Sequence, residues 1–297
     1  MKKSLKLRAA DLFQAAHSGL KRKHLIFDTA ALADRGMVRE NNEDSSFVSE
    51  NSPTIPSKVT SVGIYIVADG MGGHQAGEVA SKMAVQIIST ALSNHLKEPN
   101  GIQSPHLLVK QAIEEANTEI HTRAHGNPHL SSMGTTVTLG LRLDDRLYLG
   151  HVGDSRAYLI RRGGIKQLTE DHSVVAHLLQ VGMITPEEAE THPDRGKILR
   201  CLGTSAQVTV DTRNLSNNAE KLVLQNDDSL VFCTDGLTGH IADSEILDYV
   251  QKGLDANSVC QDLVRVANSR GGEDNISIIV VKMKSDTSTG RHQRKGR

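Results

Sequence analysis

At 297 residues the chain is long enough to bury a sizeable core, and its formal net charge of -1 gives no reason to expect nucleic acid or another polyanion as partner. Aromatics make up only 3% and Trp is absent, so the core has to be built from Val, Ile, Leu, Met and Ala. Three scattered cysteines, Cys201, Cys233 and Cys260, argue against a disulfide framework or a zinc site, and no apolar run reaches the roughly 18–20 residues of a membrane span.

The charge is unevenly placed. Residues 1–23 and 285–297 hold eleven of the 34 Lys/Arg and two of the 35 Asp/Glu, which leaves an acidic body between two basic ends. That division fits a cation-binding core with solvated tails. Residues 1–27 read as a basic extension, either an amphipathic helix around Leu5, Leu7, Leu12 and Phe13 or disordered. Residues 285–297 read as a disordered basic tail. The basic start lacks the apolar stretch of a signal peptide, so a cytoplasmic protein is expected.

The body, 28–284, alternates strand and helix signals. Ser61–Ala68 is a short apolar run that ends at Asp69-Gly70. Helical spacing follows over 77–95 (Ala80, Met83, Ile87, Ala91) and over 106–124 (Leu108, Ala112, Ala116, Ile120). Thr135–Leu143, Arg146–Val152 and Arg156–Arg161 read as successive antiparallel strands joined by short polar turns. Thr185-Pro186-Glu187-Glu188 has the N-cap, first-turn Pro and capping-box Glu of a helix start. Ser229–Thr234 is a strand that again runs into Asp-Gly. Helices over 243–251 and 256–268 and a last strand, Ile276–Lys282, complete an α+β order.

The acids fall at the ends of these strands: Asp69-Gly70, Gly153-Asp154, Asp235-Gly236 and Asp274 ahead of the last strand, with Glu43-Asp44 as a fifth cluster. Carboxylates crowded together repel unless cations neutralise them. Glycine beside Asp lets backbone come close to an ion. Oxygen-only ligands select Mg²⁺ or Mn²⁺, and a pair of such ions can activate a water for in-line attack on phosphorus.

Six stretches in order resemble the metal-dependent protein phosphatases (type 2C, or PPM): Asp34 to Asp44 (DRGMVRENNED), Val67 to Glu78 (VADGMGGHQAGE), Met133 to Thr136, His151 to Arg156 (HVGDSR), Cys233 to Leu237 (CTDGL) and Gly271 to Asn275 (GGEDN). The resemblance covers about 28–283. It implies a β-sandwich of two antiparallel sheets flanked by helices on both sides, a four-layer αββα fold. It implies hydrolysis of phosphoserine and phosphothreonine by water activated between two Mn²⁺ or Mg²⁺ ions, with a third, weaker ion.

Roles follow by resemblance, residue by residue. Asp69 bridges both metals, and Asp235 and Asp274 complete the first metal's shell. The Gly70 carbonyl and Asp44, directly or through water, serve the second, with Glu43 at one remove or, as in some relatives, closer. Asp154 holds the third metal with Asp235. Arg39 grips the substrate phosphate, which a guanidinium fork matches. Met71 stands where some relatives carry a proton-donating His, so that task passes to His74 or to a water. Residues 170–203 resemble the flap that tunes substrate choice, and His172, His177 and His192 lack metal-ligand spacing.

The resemblance further implies a monomer acting on phosphorylated proteins and opposing a bacterial eukaryote-like Ser/Thr kinase. The alternatives are a catalytically weak phosphoprotein-binding regulator of the same fold and a hydrolase of small phosphoesters. The absence of a Walker-type loop counts against a nucleotide substrate.

Overall fold

The computed structural model describes residues 25–51, 59, 61–72, 76–97, 104–212 and 222–285. Residues 1–24 of the expected extension, residues 286–297 of the expected tail and His74 lie outside the described residues, and Ser285, where the tail is expected to begin, ends the last strand. Two five-stranded antiparallel sheets form the body. The first has the order β1 (Leu25–Asp34), β12 (Ile276–Ser285), β11 (Ser229–Cys233), β8 (Arg156–Arg161) and β9 (Gly164–Gln167). The second runs β10 (Asp211–Thr212), β7 (Arg146–Val152), β6 (Val137–Leu143), β3 (Val62–Ala68) and β2 (Ser45–Asn51), and β4 (Gly70–Met71) pairs with β5 (Gly134–Thr135) as a separate short ribbon.

Side-chain alternation explains the layers. Along β3, Tyr65 and Val67 point into the sandwich with Phe232, Ile279 and Val281, while Ile64 and Ile66 point outward. The outward set packs under helices α1 (Ala76–His95) and α2 (Pro105–Gly126). On the far side, Val231, Ile278 and Val280 pack under two later helices, Asp243–Gln251 and Ala256–Ser269. Helices therefore cover both sheets, and the expected αββα layering holds. Apolar runs such as VGIYIVA are buried on both faces, a pattern more usual in parallel sheets. No helix among the described residues is long and apolar enough to cross a membrane.

Two sequence readings change. First, β1 begins inside the expected extension 1–27: Leu25 pairs with Ser285 in register. Phe27 packs at the inter-sheet core with the buried Arg142 guanidinium over its ring. Second, Arg156–Arg161 does not continue the meander of the two strands before it. Gly153, at φ +115, turns the chain out of the second sheet, and β8 pairs with β11 in the first. The turn thereby carries Asp154 to the edge between the sheets. The capping box is present as read: Thr185 Oγ1 accepts from the Glu188 N–H and the Glu188 carboxylate accepts from the Thr185 N–H.

Candidate metal centre

Pairing registers bring the acids to one edge. Ser45 is opposite Ala68, so Asp44 and Asp69 leave adjacent strand ends together. Cys233 is opposite Ile278, and the Thr234 N–H bonds the Ser277 carbonyl, which puts Asp235 beside the 274–277 segment. The Asp69 backbone is fixed from the neighbouring chain: its N–H donates to Thr136 Oγ1 at 2.9 Å, and its carbonyl accepts from Thr135 Oγ1 at 2.8 Å. Thr136 Oγ1 is in turn 2.7 Å from Ser155 Oγ, beside Asp154.

The side chains form one electrostatic network. Asp69 is pushed well up, by burial first and then by Asp235, Asp44 and Asp154, and it shares a side-chain hydrogen bond with Asp235. Asp235 is raised by burial and by Asp274. Burial lifts Asp44 to about 7, with Asp235 and Asp274 adding to it against the hydroxyl of Thr234, which bonds Oδ2 at 2.8 Å. Asp154 is also lifted to about 7, by burial and then by Asp235 and Asp171.

Three oxygens in this network, Asp44 Oδ1, Asp154 Oδ1 and Asp235 Oδ1, are buried and accept no hydrogen bond. A buried, unsatisfied carboxylate oxygen is costly unless a cation meets it. The donor set is all oxygen, which suits Mn²⁺ or Mg²⁺. Among the described residues no three His, Cys, Asp or Glu side chains close into a finished ligand cage. The acids are neighbours, two of them joined by a hydrogen bond, and with their orphaned oxygens the residues present fit a hard divalent cation.

Gly70 sits where side chains would not fit: a Cβ there would come 2.2 Å from the Gly77 carbonyl and 2.5 Å from the Glu43 carbonyl. Glu43 projects toward the start of α1, where a Cβ on Gly77 would meet Oε2 at 2.2 Å. Helix-start N–H groups favour a carboxylate there. Arg39 Nη2 donates to Asp274 Oδ2 at 2.7 Å, with the Arg39 side chain 55% exposed. An exposed ion pair of this kind is weak.

A cleft of about 1130 Å³ opens on this edge. Arg39, Asp154, Asp235 and Asp274 line it together with Ala176, Leu179, Glu190 and Arg195 from the expected flap. His172, at the base of that segment, is buried. Its Nδ1 accepts from the Gly153 N–H at 3.0 Å and its Nε2 bonds Asp211 Oδ2 at 3.1 Å, so it clips the turn that carries Asp154. Sequence reasoning missed this clip, and it missed the grip of Arg156 on both carboxylate oxygens of Asp171. Neither has a spacing signal, because both partners meet only through tertiary packing.

A family model described as protein phosphatase 2C matches residues 47–279. The chain belongs to the protein phosphatase 2C family. The serine/threonine phosphatase stp of Listeria monocytogenes is 37% identical over 261 residues, covering 87% of this chain and 96% of that protein. The serine/threonine protein phosphatase PstP of Mycobacterium tuberculosis is 37% identical over 86% of this chain, though over 45% of its own length. Among solved structures, the M. tuberculosis PstP/Ppp phosphatase superposes with a TM-score of 0.72 at 34% identity, over 87% of this chain and 99% of that one. The catalytic domain of PstP in complex with two manganese ions gives 0.71 at 33%, over 88% and 100%. This phosphatase is thus a bacterial-type, metal-dependent serine/threonine enzyme. Its opening motif, 34–44, lies ahead of the matched span and is joined to the site by the bonds of Thr234 to Asp44 and of Asn275 to Glu43.

Proposed function

We propose that the acidic edge holds two Mn²⁺ or Mg²⁺ ions, with a third, weaker one at Asp154 and Asp235, and that the cleft above it takes phosphoserine and phosphothreonine segments of proteins. The carrying observation is the trio of buried, unpartnered oxygens on Asp44, Asp154 and Asp235. When bound, the cations supply charge neutralisation and a more acidic water for attack on phosphorus. Asp69, Asp235 and Asp274 would hold the first ion. Asp69, Asp44 and the Gly70 carbonyl would hold the second, with Glu43 supporting from the start of α1. Arg39 swings from Asp274 to the phosphate oxygens. His74, outside the described residues, is the candidate donor to the leaving alkoxide, with water as the other source.

The substrate proteins we infer are targets of a eukaryote-like Ser/Thr kinase, in the cytoplasm, met by a monomeric phosphatase. The free thiols of Cys201, Cys233 and Cys260 agree with a reducing compartment. Turnover of a phosphothreonine peptide against that of nucleotides, with and without Mn²⁺, tests the reading. Mn²⁺-dependent release of phosphate from the peptide alone supports it. Equal turnover of nucleotides, or tight peptide binding with no release, contradicts it.

Arg39→Ala should raise KM for the phosphopeptide on the order of tenfold and leave kcat within about threefold, because phosphate binding is what it removes. Steady-state kinetics at saturating Mn²⁺ would show this. A fall in kcat at constant KM would instead place Arg39 in the transition state alone.

A further inference from the structure

The loop that carries Arg39 has no regular structure between Arg35 and Asp44, and its apolar members do not anchor it: Met37 is 67% exposed and Val38 65%. Its position depends on polar bonds: Met37 N–H to the Gly272 carbonyl, Arg39 to Asp274, the Ser81 hydroxyl to the Glu43 carbonyl, the Thr234 hydroxyl to Asp44, and three more that all come from one side chain. Asn275 is buried. Its Oδ1 accepts from the Glu43 N–H at 2.7 Å. Its Nδ2 donates to the Arg35 carbonyl at 2.8 Å and the Asn41 carbonyl at 2.9 Å. The partners fix which way the amide points. Turned over, it would set donor against donor and face two carbonyls with an oxygen.

The same residue touches two acid-bearing segments. The Asn275 N–H donates to Asp274 Oδ1 at 2.8 Å. Its carbonyl lies so close to Gly236 that a Cβ there would be 2.1 Å away. Asn275 therefore joins the Arg39 loop, at both ends of its span, to Asp274 and to the Asp235-Gly236 turn.

The geometry points to Asn275 as the positioning residue that sets Arg39 over the phosphate site. Its side chain is fully occupied by three backbone groups of the loop, and it acts through the loop. This rests on the phosphatase reading above, in which Arg39 binds phosphate. Aspartate at 275 would keep the acceptor for Glu43 and lose both donors. Alanine would lose all three bonds.

The test pairs kinetics with amide hydrogen exchange on the metal-free full chain. Asn275→Ala should raise KM for a phosphothreonine peptide about tenfold with kcat changed less. In an Arg39→Ala background the same change should add little, since the residue it positions is gone. Amides of 35–44 should exchange faster in the variant while those of β3 stay protected. Asn275→Asp should shift KM and exchange in the same direction, and it decides the matter if β3 exchange shows the alanine variant unfolded. Wild-type KM and wild-type exchange at 35–44 in the folded variants would overturn the inference. So would a KM effect that persists in full without Arg39. Wild-type protein that shows no Mn²⁺-dependent turnover, yet faster 35–44 exchange in the variants, would sink the phosphatase reading instead and leave the loop contact standing.

Discussion

Asp69→Asn and Asp235→Asn should each lower Mn²⁺-dependent hydrolysis of a phosphothreonine peptide on the order of 10²–10³-fold or more, the scale of losing one preorganised electrostatic group at a reacting centre. Both changes keep the side-chain shape and remove a charge that a cation needs. The same substitutions should leave the metal-free protein as stable as wild type or more so. Each removes a buried carboxylate whose ionised form is opposed by burial and by its neighbours. The signature is therefore paired: activity lost, metal-free melting temperature held or raised, and the Mn²⁺-induced rise in melting temperature reduced. A variant that hydrolyses at near wild-type rate would remove these residues from the metal site.

The second large effect is a pH dependence of metal stabilisation. Asp44 and Asp154 keep their protons up to about 7 in the folded, metal-free chain, against an ordinary carboxylate value of 3.8. Between those limits the folded state binds protons that the unfolded state has released, so their contribution to stability falls as pH rises. A cation binds the deprotonated forms and reverses the penalty. The difference in melting temperature with Mn²⁺ and with chelator should thus be small near pH 5 and grow through pH 7. At a Mn²⁺ concentration about 100 times the dissociation constant it should reach about 5–10 °C. His151, whose burial lowers it to about 3, acts in the opposite direction: its stabilising effect is present at neutral pH and lost on acidification. It bonds Thr138 Oγ1 and the Glu170 carbonyl, not an orphaned oxygen, and its contribution is common to the Mn²⁺ and chelator samples, so it cancels in the difference. A metal increment that is flat between pH 5 and 8 would contradict the proton–cation competition.

Much of this site could be read before the fold was known, and the reason is local. Asp69 and Asp235 each follow a short apolar run and precede a glycine, and Asp274 stands two residues ahead of a third run. A strand end is therefore visible in a few consecutive residues. What sequence could not show is everything decided across the chain. β1 carries Asp28, Thr29 and several alanines, so its own pattern is weak. It is a strand because β12 pairs with it residue for residue. Arg156–Arg161 has the same strand signal whichever sheet receives it, and the backbone at Gly153 makes that choice. Asn275 reads as a flanking polar residue, and its role emerges only where residues more than 230 positions away supply its partners. The helix Val174–Gln180 is a single short element on the flap, whose Ser173 cap bonds the Ala176 N–H. Its brevity hid it from any periodicity.

The most direct test of the metal centre is anomalous diffraction from crystals of this chain grown with excess Mn²⁺. The account predicts two strong manganese peaks between Asp69, Asp235, Asp274 and Asp44, within oxygen-ligand distance of about 2.0–2.6 Å. Ordered density in which those carboxylates turn toward separate partners, with no anomalous peak among them, would contradict it.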